Sequence, residues 1–410
     1  MRERLGPGPV RSAARSWWVQ VLLVWLGARA FSAVVFLLVA RTQEANPWTP
    51  AAPSYAQYTG LMWDASWYRE IAERGYPAGL PTDAGGVTQN AWAFFPLFPT
   101  MVRGFMVLTG GSWEVVAPTV ALVLGTAAAL VVHLLLAAVV ARGPLAGSDV
   151  GRRLPLAGVA VLGLAGAAPV LQVAYTESLA LLLLAGVLWC LVERQYLLGA
   201  VLLPALGLAR AVALPVAVAV VAHAVARYRE ARLDGTGLGR AEWARLGGLT
   251  VVAVASGFLW PAIVGLSTGT ADAYTQVQSA WRGRGEVVPV LPWIDVARFF
   301  AGDWWLPALV VVLGLGVLLV AGPTLRRLGP ELWGWTAGYL GYLLVAIEPG
   351  TSLVRFMVLA FPAAAVLAVR ASAVRRWRVA LALLLVGAAL TQIAWVATVW
   401  RLVPPSGWPP

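Results

Sequence analysis

A carboxylate without a partner in its own helix is the first candidate for chemistry in this chain. It is Asp64, within Leu61-Met-Trp-Asp-Ala-Ser-Trp-Tyr-Arg-Glu-Ile-Ala-Glu-Arg-Gly-Tyr76. The segment reads as a short helix stopped at Gly75, with Pro77 just beyond. Trp63, Trp67 and Ile71 fall on one apolar stripe. Arg69 with Glu73, and Glu70 with Arg74, make opposite-charge pairs one turn apart. One turn beyond Asp64 stands Tyr68 rather than a base. An aspartate of ordinary pKa, about 3.9, is ionised at neutral pH and can take a proton from a hydroxyl within hydrogen-bond reach. The same position suits a helix cap or a partner for the helix dipole. Spacing alone supports both readings equally.

Further candidates are spread along the chain. Asn90-Ala-Trp-Ala-Phe-Phe-Pro-Leu-Phe-Pro99 places Phe94 and Phe95 beside two prolines, as an interfacial anchor or a wall facing a lipid would. Ala174-Tyr-Thr-Glu-Ser178 sets Tyr175 and Glu177 at the outer end of an apolar run. An acid at membrane depth is costly, which makes it a functional candidate, although the helix dipole would also favour it there. Arg210 and Arg355 lie at the ends of apolar runs, where an arginine can hold a phosphate or snorkel to headgroups. Glu348 is close enough in sequence to pair with Arg355. His133 and His223 lie inside apolar runs and read as core or headgroup residues, and Cys190 is the only cysteine, so neither a disulfide nor a cysteine zinc site is expected. No Walker A loop, opening Gly-x-Gly-x-x-Gly, His-Glu-x-x-His or Asp-x-Asp occurs, so a nucleotide substrate is not indicated.

The elements that must position these residues are membrane helices. Of 410 residues, 60% are hydrophobic and 12% charged, with mean hydropathy +0.76. A soluble domain carries roughly a quarter charged residues. Runs long enough to cross about 30 Å of hydrocarbon must satisfy their own backbones, which means helices, and the alternating strands of a membrane barrel are absent. About eleven spans are expected, at 17–40, 115–141, 154–169, 173–192, 196–208, 211–226, 246–266, 304–322, 331–347, 353–369 and 379–400. The run 17–40 is too long for a cleaved signal and reads as the first span. The net charge of +11 lies on arginines between apolar runs and acts as a topology signal; no nucleic-acid partner is expected. Placing Arg2, Arg4, Arg11 and Arg15 in the cytoplasm also puts the arginines of 142–153, 227–245 and 370–378 there. That orientation needs 97–110 to lie at the outer interface. The chain is then a single transmembrane domain, 1–410, in the plasma membrane, with two long extracytoplasmic loops, 41–114 and 267–303. Trp281, Arg282, Arg284 and Trp293 make the second loop a candidate cover for a site.

Trp63-Asp-Ala-x-x-Tyr-x-x-Ile-Ala-Glu-x-Gly-Tyr76, followed by Ala93-Phe-Phe-Pro-Leu-Phe-Pro99, resembles the PIG-V family, mannosyltransferases that add the second mannose of the GPI anchor, and their bacterial relatives. The resemblance runs over roughly residues 60–215. It includes Ala174-Tyr-Thr-Glu-Ser-Leu179 and reaches Arg210, where the family has Arg-Ser-Asn-Gly and this chain has Ala-Val-Ala after the arginine. Arg355-Phe-Met-Val-Leu-Ala-Phe-Pro362 resembles a later family element. The resemblance implies a GT-C fold, a polyprenyl-phosphate sugar donor and an acidic base in the first outer loop. Asp64 would be that base, Arg210 and Arg355 would face the leaving phosphate, and Glu177 would orient the acceptor or hold the helix. Trp63, Trp67, Tyr68, Phe94, Phe95 and Tyr175 would face sugar or lipid. The absence of Lys amid abundant Ala, Val, Leu and Gly reads as bacterial coding bias. The acceptor is therefore expected to be an envelope glycolipid, glycan or protein rather than a GPI intermediate. No cofactor is assigned and a divalent metal stays open. The alternatives are a transporter or lipid flippase, for which the proline-broken region 196–226 speaks, and a non-catalytic partner of another envelope enzyme.

Overall fold

The computed structural model describes residues 16–282, 288–403 and 410. Arg2, Arg4, Arg11 and Arg15 of the orientation argument, and Arg284 and Glu286 of the loop 267–303, lie outside the described residues. The chain begins with α1 (Trp17–Ala40), followed by two short helices of the first loop, α2 (Tyr55–Gly60) and α3 (Asp64–Arg74). A two-residue hairpin, β1 (Thr82–Asp83) and β2 (Gly86–Val87), precedes α4 (Leu97–Thr109). Next come α5 (Trp113–Arg142), α6 (Asp149–Leu164), α7 (Glu177–Val192), α8 (Tyr196–Ala209), α9 (Ala213–Leu233) and α10 (Arg240–Thr268). The second loop carries α11 (Ala273–Arg282) and α12 (Leu291–Ala301). The chain continues through α13 (Trp305–Ala321), α14 (Pro323–Arg327), α15 (Pro330–Ala346), α16 (Leu353–Phe356), α17 (Pro362–Ala373) and α18 (Trp377–Trp395).

Every apolar run read from the sequence overlaps a helix. Their lengths differ. Among the described residues, five helical segments are long and apolar enough to cross a membrane: Trp17–Ala40, Trp113–Arg142, Arg240–Thr268, Leu291–Arg327 and Trp377–Trp400. A sixth arises if Leu353–Ala360 and Pro362–Ala373, bent by 68° at Phe361, form one broken span. The chain is thus an all-α, multi-pass membrane protein. α4 buries Phe98, Pro99 and Val102 while Val107 and Leu108 stay exposed, an amphipathic pattern that fits an interfacial helix.

Small residues let the helices that carry the site approach closely. On α15, a Cβ at Gly334 would stand 2.8 Å from the Cα of Ala219, and one at Gly338 would stand 2.7 Å from the Pro215 carbonyl, both on α9. This Gly-x-x-x-Gly seam sets backbone against backbone, which is how membrane helices gain contact when lipid offers no hydrophobic contrast. A buried cation closes another joint. Arg29 of α1 is 3% exposed and donates to the carbonyls of Gly163, in the last turn of α6, and Ala168, in the segment that follows it. Its ring-side neighbour is Trp25, 4.9 Å from the guanidinium. Replacing Gly334 with Val should force α9 and α15 apart at a cost of about 1–3 kcal/mol. Thermal unfolding in lipid nanodiscs would read this as a lowered midpoint, and an unchanged midpoint would refute the tight seam.

Candidate active site

The site forms where the first long loop meets the start of α7, the elbow between α8 and α9 and the broken segment α16–α17. Asp64 is the first residue of α3. Trp63 before it holds φ 59° and ψ −128°, a left-handed conformation that is strained for a bulky side chain. The strain is held from both sides. The indole Nε1 of Trp63 donates to the Trp400 carbonyl at 2.8 Å, and its ring lies 5.0 Å from that of Trp48. The Asp64 backbone N–H donates to the Tyr175 hydroxyl at 3.1 Å. The turn thereby aims the Asp64 carboxylate at Arg355, whose Nη1 donates to Oδ2 at 2.6 Å.

Glu177 opens α7 and is 1% exposed. Its Oε1 lies 3.0 Å from Nη1 of Arg210 and 3.4 Å from Nε of Arg355. Neither of its oxygens receives a hydrogen bond in good geometry among the described residues, so the two arginines compensate its charge by proximity. Arg210, at the elbow between α8 and α9, also donates to Oγ1 of Thr176 at 3.1 Å. The Arg355 guanidinium lies 5.0 Å from the Tyr175 ring centroid, and those of Arg210 and Arg355 each lie 5.2 Å from that of Phe356. Two acids and two arginines thus make one formally neutral network across helices far apart in sequence. Breaking one member of such a network strands the others in low dielectric.

A cavity of about 180 Å³ opens onto this network. Of the residues singled out in the sequence, Asp64, Tyr68, Phe94, Phe95, Arg210 and Arg355 line it. Glu177 and Tyr175 stand directly behind the lining, against the two arginines and Asp64. Trp67 is set back, stacked on Phe94 at 5.7 Å. Trp63 is packed toward Trp48 and Trp400 and is not among the lining residues. The Tyr68 phenol is pushed well above its ordinary range, first by burial and then by Asp64. It therefore stays neutral and can donate. The carboxylates met by Arg355 are Asp64 and Glu177, rather than the nearby Glu348.

Sequence reasoning passed over four polar lining residues: Tyr274 and Gln278 on α11, and Tyr339 and Tyr342 on α15. A signal existed for the first two. Ala273 and Val277 bury one stripe of α11 against Trp92 and Trp260, which leaves Tyr274, Gln278 and Arg282 together on a neighbouring stripe. Arg282 also lines the cavity, whereas Trp281 sits edge-on to Trp67 and Phe94 behind it. The second loop therefore contributes a wall to the cavity. Among the described residues, no cluster of three His, Cys, Asp or Glu side chains forms that could hold a metal.

The fold and site define a multi-pass helical membrane protein with an ionic cavity built largely from its loops and helix ends. No family model and no curated protein matches the chain. Among solved structures it is similar to the archaeal oligosaccharyltransferase AglB of Archaeoglobus fulgidus in complex with an inhibitory peptide and a dolichol-phosphate, at 15% identity and TM-score 0.48, over 93% of this chain and 56% of that one. It is also similar to an Archaeoglobus fulgidus oligosaccharyltransferase in complex with Zn and sulfate, at 15% identity and TM-score 0.47, over 91% of this chain and 53% of that one. The chain thus spans little more than half the length of either.

Replacing Glu177 with Leu would leave Arg210 facing Arg355 without their shared counter-charge. The expected loss is about 3–5 kcal/mol of stability. Adding Arg210→Met should recover part of it, since neighbours in one network are not additive. Strictly additive losses in thermal unfolding would refute the coupling.

Proposed function

We propose that the protein is an integral-membrane glycosyltransferase of the GT-C type. It transfers a sugar, mannose by the family resemblance, from a polyprenyl-phosphate donor to a hydroxyl of an extracytoplasmic glycolipid, glycan or protein. The observation that carries this reading is the contrast between the two acids. The Asp64 side chain is 22% exposed and lines the cavity, whereas Glu177 is sealed behind two arginines. Only Asp64 can meet a substrate hydroxyl. In the reaction, Asp64 accepts the acceptor's proton as its oxygen attacks the anomeric carbon. The bond from that carbon to the phosphate oxygen breaks, and the lipid phosphate leaves with the electron pair. Its growing charge falls to Arg210 and Arg355, both on the cavity wall. A single displacement of this kind inverts the anomeric centre.

Arg355 has a double part in this scheme. It holds the Asp64 carboxylate aimed before substrate arrives, and the leaving phosphate then offers it a second anion. Glu177 holds both arginines in place as their shared counter-ion. The arginine distribution supports a cytoplasmic N-terminus, an extracytoplasmic site and a place in the plasma membrane. A transporter reading draws on the 68° break at Phe361, six residues after Arg355, since broken helices mark many transport sites.

The test is transfer of labelled mannose from polyprenyl-phosphate mannose to an envelope lipid extract, by protein reconstituted in vesicles. Asp64→Asn should lower the transfer rate about 10²–10⁴-fold while the protein still inserts and folds. Normal transfer by that variant rejects Asp64 as base. Movement of the labelled lipid across the vesicle without any product supports the transporter instead.

A further inference from the structure

The cavity's polar groups fall into two chemical sets. The charged set, Asp64, Arg210, Arg282 and Arg355, comes from α3, the α8–α9 elbow, the last residue of α11 and α16. A second set, Tyr274, Gln278 and Tyr342, comes from α11 and α15 and carries no charge. Tyr274 and Gln278 are one turn apart on α11, and the Gln278 Nε2 donates to the Ala93 carbonyl at 3.4 Å, which anchors its carboxamide at the cavity wall. Burial first, and Tyr342 next, push the Tyr274 phenol well above its ordinary range, which keeps it protonated. Tyr339 is different: its hydroxyl is committed to the Phe356 carbonyl at 2.9 Å, and it offers the cavity its ring.

The two sets suit different parts of one substrate. A phosphate oxygen only accepts hydrogen bonds, so it is matched by guanidinium groups, which only donate. A sugar hydroxyl both donates and accepts. It is matched by phenols and a carboxamide, which also do both. Phe94 and Phe95 line the same cavity and supply apolar surface beside these groups, as small-ligand sites do.

We propose that Tyr274, Gln278 and Tyr342 determine which sugar the protein accepts, by hydrogen-bonding the hydroxyls of the single hexose carried by the lipid phosphate. This rests on the transferase reading and deepens it. Helix α11 of the second outer loop is then a recognition element, separate from the proton transfer assigned to Asp64. A site built to bond a hydroxyl discriminates strongly against a ligand that lacks it, because its own buried polar groups are left unpaired.

Calorimetric binding in nanodiscs tests this without any turnover. The ligands are bare polyprenyl phosphate and the same lipid loaded with mannose, glucose or galactose. Wild-type protein should bind its best hexose-loaded lipid at least about tenfold more tightly than the bare lipid. Gln278→Ala and Tyr274→Phe should bring that ratio to within about twofold of one, with affinity for the bare lipid phosphate unchanged. Tyr274→Phe removes one oxygen and leaves the ring, so it tests the hydroxyl with little risk to folding. A wild-type ratio of one, an unchanged ratio in both variants, or an equal loss for bare and loaded lipid each overturns the proposal. A retained ratio together with no labelled product in the transfer assay would sink the transferase reading alone.

Discussion

A carboxyl group that water scarcely reaches needs partners within contact distance to offset its lost hydration, and Glu177 has two arginines. Arg210 reaches it from the elbow between α8 and α9, and Arg355 reaches it from the broken segment α16–α17. Arg355 in turn fixes Asp64 from the first long loop. One buried acid therefore joins the charged groups of three parts of the chain that lie far apart in sequence. The desolvation cost of such a cluster is large, and apolar residues of like volume often serve stability as well or better. What the ionic version adds is orientation: two guanidiniums and one accessible carboxylate presented to the same small cavity.

The individual residues were legible because each broke a local rule. Asp64 had no base one turn away, Glu177 stood at membrane depth, and Arg210 and Arg355 interrupted apolar runs. Their pairing was not legible, since Asp64 and Arg355 are 291 residues apart and no local spacing relates them. Local reasoning instead put Glu348 beside Arg355 by sequence proximity. Trp63 shows the limit from the other side. An apolar stripe through Trp63, Trp67 and Ile71 supposes that the helix already covers all three. The structure starts α3 at Asp64, and the left-handed Trp63 before it turns its indole toward Trp400. Glu70 and Arg74 likewise form no ion pair among the described residues, whereas Arg69 and Glu73 do, at 2.8 Å. Helices were readable from apolar runs, but how many of them cross was not. Hydropathy marks a buried run whether lipid or protein buries it, and α7, at 16 residues, is mostly enclosed by protein.

The cavity's neutral side was the least legible part. Tyrosine and glutamine are ordinary residues in a loop helix and announce nothing by themselves. They gain meaning only once Ala273 and Val277 are seen to pack inward, which decides where the next stripe points. The same holds for Tyr339 and Tyr342, which lie in an apolar span that already carries Trp333 and Trp335, so two more aromatics there draw no notice. Their direction depends on the close seam between α9 and α15, because a rotation of α15 would carry both away from the cavity.

That rotation is opposed at the other end of the same helices. His223 lies ten residues beyond Ala213 on α9, roughly 15 Å along the axis. Its Nδ1 pairs with Glu331 at the start of α15, and its Nε2 lies 3.0 Å from the Tyr196 hydroxyl of α8. Tyr196 also donates to Glu242 of α10 at 3.2 Å, and Glu242 accepts from Arg227 of α9 at 3.0 Å. Four helices are thus linked by directional bonds at one end, while α8, α9 and α15 deliver Arg210, Tyr339 and Tyr342 to the cavity at the other. Apolar packing between membrane helices tolerates sliding and rotation, because lipid and side chain are equally greasy. A small-residue seam limits their distance, and a polar network limits their register. Together these two devices convert a set of nearly featureless apolar helices into a frame rigid enough to hold the ionic cavity in shape.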